Sequence, residues 1–251
     1  GIWVIIKRPN DDNALRKLVQ ILNQLDGIQL SSDDILVVYM STLLMTPGVK
    51  YRDSQRGVEI RLLDVLKRIL IKSPRNTICV LRTTAPSCFR GKIGKLHQVA
   101  LDSLRNKCYV KVYDRNIFLN HAKFLIYCYL SLRPMKLIYL RTGRYFGSTN
   151  FTAAGLSSRS GTKKGNYEEF TAWERRPKSL SDQELKRFGY YLTEITNIVT
   201  ENYGLYTDKS YLRNYLNDHL EHLRSIANSA KRIISGTALG AVSYTHLTLP
   251  T

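Results

Sequence analysis

Apolar residues recur along the chain at two spacings, and the switching between them sketches an α/β protein. In DDNALRKLVQILNQL (11–25), Leu15, Leu18, Ile21, Leu22 and Leu25 fall on one face of a 3.6-residue repeat. Capping residues precede them, so the segment predicts an amphipathic helix. DILVVYM (34–40) is an unbroken apolar run of strand length and predicts a buried strand. The helical spacing returns at Leu62, Leu63, Leu66, Ile69 and Leu70, followed by a short apolar strand in NTICVLRTT (76–84). A helix near 95–106 and a strand at CYVKVYD (108–114) come next. NHAKFLIYCYLSL (120–132) and KLIYLRTGRYFGSTNF (136–151) predict two strands around a turn at Pro134, and NYEEFTAWE (166–174) predicts one more. Strands separated by helices predict a largely parallel sheet flanked by helices, and the closer spacing of the later strands makes it mixed.

The pattern changes character near Ser181. SDQE reads as a capping box, and Leu185, Phe188, Leu192, Ile195 and Val199 follow at a 3-4 spacing. Leu212, Leu216, Leu220 and Leu223 repeat it in a further helix. The expected organisation is therefore an α/β domain over 1–177 and a C-terminal helical appendage over 178–235. The last ten residues, VSYTHLTLPT (242–251), resemble translated sequencing-adapter read-through and are read as a non-native tail. The chain starts at Gly1 rather than Met, which is compatible with a segment ahead of it.

Composition adds a partner to this picture. Of 251 residues 43% are hydrophobic, enough for a core, yet the formal net charge is +18 and the pI about 9.8. A surplus of that size points first to nucleic acid and second to an anionic membrane surface. No apolar run reaches the roughly 18 residues of a membrane-spanning helix, so no stable membrane insertion is expected. Cys79, Cys88, Cys108 and Cys128 form no C-x-x-C pair and fit neither a zinc site nor a disulfide framework. Reduced thiols suit a cytoplasmic protein.

Chemistry concentrates in two of the predicted strands. On a strand, side chains two apart share a face, so His121 and Lys123 project together, as do Ser148 and Asn150 in GSTNFT. Gly147 permits a close approach of ligand or backbone. An imidazole, an ammonium, a hydroxyl and a carboxamide suit an anion with several oxygens, such as a phosphate. The carboxylate cluster that a magnesium site would want is lacking, so neither metal nor cofactor is expected. Each pair alone is a weak signal. Their order, followed by Asn166-Tyr167-Glu168, is a stronger one.

HAKF (121–124), GSTNFTAAGL (147–156) and NYEEF (166–170) together resemble the phospholipase D superfamily, whose signature is H-x-K, G-S-x-N and a downstream N-x-E. The resemblance spans about 76–174. It departs from the family pattern at Cys128, where an Asp is common, and in a longer gap between Lys123 and Gly147. It implies a metal-independent phosphodiesterase working through a phosphohistidine. His121 would then be the nucleophile, Lys123 and Asn150 would hold non-bridging oxygens, Ser148 would donate a further hydrogen bond, and Glu168 would orient an imidazole. The scheme needs a second histidine, and the chain holds one H-x-K, so a homodimer joining two copies of His121 is expected, as in single-copy members of the family.

Other candidates are weaker. RGKIGKL (90–96) lacks the Ser or Thr of a P-loop. His219 and His222 share a helix face and could ligate a metal, but such a pair is expected to be solvated. Trp173 is expected in the core. Arg82, Arg90, Lys92 and Lys95 follow a predicted strand end, and Arg159, Lys163 and Lys164 lie between GSTNFT and NYEEF; both sets could track a nucleic-acid backbone. The expected activity is hydrolysis of DNA or RNA by an endonuclease. The alternatives are a phospholipid phosphodiesterase, which an exposed aromatic-aliphatic surface at the site mouth would favour, and an inactive nucleic-acid-binding module.

Overall fold

A computed structural model describes residues 3–133, 137–176, 182–202 and 210–235. The turn at Pro134, Ser181 of the capping box and the tail 242–251 lie outside them. The elements are β1 (Ile5–Lys7), α1 (Asn13–Asp26), β2 (Asp34–Thr42), β3 (Lys50–Asp53), β4 (Val58–Arg61), α2 (Leu62–Lys72), β5 (Thr77–Thr84), α3 (Lys92–Leu104) and β6 (Tyr109–Tyr113). There follow β7 (Lys123–Leu132), β8 (Leu137–Gly147), the short α4 (Ala153–Leu156), β9 (Arg159–Ser160), β10 (Lys163–Lys164), β11 (Glu168–Arg175), α5 (Asp182–Glu201) and α6 (Leu216–Ser235).

Seven strands form one mixed sheet in the order β1-β11-β8-β7-β2-β5-β6. The α/β class and the mixed sheet are as expected, but parallel pairing is the minor part. Only β2–β5 and β5–β6 are parallel; β1–β11, β11–β8, β8–β7 and β7–β2 are antiparallel. The physical reason is connection length. A parallel neighbour needs a crossover such as α2 or α3, whereas only four residues separate β7 from β8, too few for anything but a reversal of the chain.

Alternation along the central strands sorts residues to two faces. Leu36, Val38, Met40, Leu125, Tyr127 and Tyr145 lie in one buried cluster with the apolar faces of α1, α2 and α3. Val37, Tyr39, Phe124, Ile126, Cys128 and Leu130 lie in the other with Leu192, Ile195, Val199, Leu216, Leu223 and Ile226 of α5 and α6. The helices expected as an appendage thus cover the second face of the sheet. All nine residues of β2 are buried, which is why that strand reads as a continuous apolar run rather than an alternating one. No helix among the described residues is long and apolar enough to cross a membrane.

This topology brings five strand ends to one edge. The C-terminal ends of β2 and β5 lie beside the start of β7, since Ser41 pairs with Phe124 and with Arg82. The start of β7 lies beside the end of β8 (Lys123 with Gly147), and that end beside the start of β11 (Gly147 with Phe170). The candidate residues meet there.

Candidate functional site

His121 lies two residues ahead of β7 rather than within it, because the ladder begins at Lys123. Its position is set by Asn120, which is 3% exposed. The Asn120 amide donates to the carbonyls of Thr42 and Arg82, both at 3.3 Å, and Ser41 Oγ donates to the Ala122 carbonyl at 2.8 Å. The ends of β2 and β5 therefore clamp the backbone on both sides of an exposed imidazole.

Lys123 is the reverse, 7% exposed at the first position of its strand. Its Nζ lies 3.2 Å from Nδ1 and 3.1 Å from Nε2 of His121. Burial holds its pKa below the ordinary lysine value, opposed by the negative charge of Glu168. A partly desolvated ammonium beside an exposed imidazole is a strong donor for an incoming anionic oxygen.

Ser148 and Asn150 lie just beyond β8 and do not continue its alternation. Gly147 allows this arrangement. A Cβ there would stand 2.2 Å from the Glu169 carbonyl oxygen and 2.6 Å from Phe170 Cα, so only glycine lets β8 approach β11 so closely. The Ser148 N–H donates to the Glu169 carbonyl and the Glu169 N–H to Ser148 Oγ, each at 2.9 Å. The hydroxyl itself donates to Glu168 Oε2. Ser148 thus braces Glu168, rather than offering its proton to a ligand. Asn166 Nδ2 donates to the other carboxylate oxygen at 3.3 Å. Asn150 Oδ1 accepts from the Leu43 N–H at 3.2 Å and the Leu44 N–H at 3.4 Å, with Thr42 Oγ1 at 3.2 Å. The carboxamide therefore bridges from the end of β8 to the end of β2, over the start of β7 that lies between them.

Two contributors carried no signal in the sequence. Asn120, next to His121, is the buried clamp described above. Lys7 of β1 is fully buried and donates to the Asn166 carbonyl at 2.8 Å. Burial depresses its pKa, against the opposing charges of Glu168, Asp12 and Asp11. A lysine in the stretch IIKRPN gives no reason to expect burial, because only the pairing of β1 with β11 carries it under the Asn166–Glu168 turn.

The expected cations divide. Arg90, Lys92 and Lys95 are exposed at the start of α3, beyond β5, and Arg159, Lys163 and Lys164 are exposed on the β9–β10 hairpin that leads to Glu168. They flank the strand ends on two sides. Arg82 does not join them. It faces the other layer, with its guanidinium 5.9 Å from the Tyr39 ring, 5.7 Å from that of Phe124 and 3.5 Å from Glu194 of α5. Strand alternation explains this, since Arg82 follows Ile78 and Val80 on the face covered by α5.

Cys128 lies on that same far face, 3.6 Å from Thr142 Oγ1, and burial raises its thiol pKa to about 11. It is five positions beyond Lys123 and hence on the opposite side of the strand, with no access to His121. Two of the other histidines are committed elsewhere. His97 is buried, accepting from the Met45 N–H at 3.1 Å and donating to the Thr84 carbonyl at 2.8 Å. His219 is not solvated as expected but buried in α6, between Tyr109 Oη at 2.6 Å and the Pro74 carbonyl at 2.7 Å. His222 is on the same helix, and His246 lies outside the described residues. Trp173 is partly buried, with the Arg175 guanidinium 5.0 Å from its ring. All four cysteines are free, three of them buried.

The arrangement brings an exposed imidazole, a buried ammonium, a carboxamide and a braced carboxylate to neighbouring strand ends. Compared with known proteins, the chain matches no family model and no curated sequence.

Proposed function

We propose that the protein is a metal-independent phosphodiesterase acting on nucleic acid, in the manner of the phospholipase D superfamily that its motifs resemble. The observation that carries this reading is the exposed His121 imidazole with the buried Lys123 ammonium beside both ring nitrogens. A ring nitrogen of His121 attacks phosphorus, and the bond to the leaving oxygen breaks. That oxygen takes a proton from His121 of a second copy. Water then attacks the phosphohistidine, giving its proton back to that second imidazole, and the N–P bond breaks to regenerate His121. Two displacements replace one difficult one. Lys123 Nζ and Asn150 Nδ2 stabilise the charge that grows on the non-bridging oxygens. Glu168, braced by Ser148 and Asn166, orients the imidazole of the second copy.

The surplus of positive charge and the exposed cations on both flanks favour a nucleic-acid substrate. A phospholipid substrate for the same chemistry is a second reading, favoured by the exposed Ile117, Phe118 and Leu119 just ahead of the site. The test is nicking of plasmid DNA in EDTA by the parent protein and by His121→Ala. Cleavage by the parent alone is expected. Cleavage that needs a divalent metal, or survives the substitution, would overturn the mechanism; phospholipid turnover without nicking would overturn the substrate.

A further inference from the structure

The loop from β6 to His121 ends in an apolar knuckle that the body of the protein covers only in part, through the Phe118 ring lying 5.2 Å from that of Tyr113. Ile117 is 84% exposed, Phe118 57% and Leu119 52%. Three consecutive large apolar side chains left in water are costly unless something else covers them. The loop is also held firmly. At its base the Ala85 N–H donates to the Tyr113 carbonyl at 2.9 Å, and the Arg115 N–H meets Cys88 Sγ at 3.4 Å. Inside it, the N–H groups of Ile117 and Phe118 donate to the Asp114 carbonyl at 3.0 and 2.9 Å. The buried Asn120 pins the far end. The knuckle is therefore presented outward by the fold.

Its surroundings say what it meets. Arg115 in the loop, Arg90 on the adjoining β5–α3 connection and Lys92 at the start of α3 are exposed, and Ile93 next to Lys92 is 45% exposed. The one acid of the loop, Asp114, is exposed and engages the Asn116 N–H with its carboxylate at 2.9 Å. Apolar tips ringed by cations suit an anionic lipid surface, where the tips enter the acyl boundary and the cations meet the headgroups.

We infer that the Ile117–Phe118–Leu119 knuckle docks the protein onto an anionic membrane surface, holding the strand-end site next to the headgroup layer. The inference rests on exposure and charge and holds for either substrate. The experiment is co-sedimentation with vesicles of phosphatidylcholine mixed with phosphatidylglycerol, and with vesicles of phosphatidylcholine alone. The parent should pellet with the mixed vesicles, less so as salt is raised. An Ile117→Ser, Phe118→Ser, Leu119→Ser variant should bind at least about tenfold more weakly and keep the parent's melting temperature. His121→Ala should bind like the parent, which separates this question from catalysis. Parent protein left in the supernatant, or equal binding by the triple variant, would overturn the inference. So would a triple variant that falls from dimer to monomer in light scattering, or that loses DNA affinity in the same proportion.

Discussion

The proposed mechanism gives Asn150 two separable jobs, and two substitutions pull them apart. Its Oδ1 accepts the Leu43 and Leu44 N–H groups at 3.2 and 3.4 Å, and the Thr42 hydroxyl lies at 3.2 Å. Thr42 already donates to the Leu44 carbonyl at 2.7 Å, so the oxygen mainly serves the two backbone donors. Asn150→Ala leaves both without an acceptor in a half-buried setting, at about 1 kcal/mol each. A total near 2 kcal/mol lowers the melting temperature of a chain of this size by roughly 4–8 °C. Asn150→Asp keeps the acceptor and should stay within about 1 kcal/mol of the parent. It replaces the amide donor with a negative charge facing an anionic substrate, so its cleavage rate should drop at least about a hundredfold. Thermal melting and plasmid nicking on both variants decide the matter. An Asn150→Ala variant as stable as the parent refutes the brace. An Asn150→Asp variant that cleaves at the parental rate refutes the donor role.

Three further outcomes are expected. Cys128→Ala should cleave within about twofold of the parent, because the thiol is on the opposite side of β7 from His121 and distant sites act independently; a large loss in the nicking assay would contradict that separation. Gly147→Ala should cost about 1–3 kcal/mol in urea unfolding, since its Cβ meets backbone atoms of β11 that cannot move aside; an unchanged midpoint would show that the strands part freely. His219 has its pKa lowered to about 4, chiefly by burial. The unfolded chain therefore binds more protons between pH 6.5 and 4, and stability is full above pH 6.5 and falls as pH drops through that window. At pH 4.5 the loss from this group is roughly 2–3 kcal/mol, so the stability gap between parent and His219→Phe should narrow by that amount between pH 7.5 and 4.5; a constant gap would refute the assignment.

Much of the architecture is legible in the sequence because the buried strands are short apolar runs and the helices keep one apolar face. The order of the strands is not legible, since it depends on pairings between distant segments. That is why the antiparallel majority of the sheet, and β1 with it, escapes a reading based on local pattern. The chemistry is legible as types and less so as roles. His121 and Lys123 come together as their spacing suggests, though the histidine stands ahead of the strand. Ser148 turns to Glu168 because the end of β8 lies against β11, a fact of tertiary structure. Arg82 shows the converse. Its place after a strand end suggests a groove, while alternation within β5 commits it to the layer beneath α5. The missing Asp at position 128 matters less once the side of the strand is known, for no side chain there reaches the imidazole.

The central claim is that His121 forms a covalent bond to phosphorus, and the stereochemical course of hydrolysis tests it most directly. A single diastereomer of a phosphorothioate diester would be cleaved in EDTA with oxygen-labelled water, and the configuration at phosphorus determined. Two successive in-line displacements predict net retention. Inversion would mean that water attacks directly and that His121 is not the nucleophile.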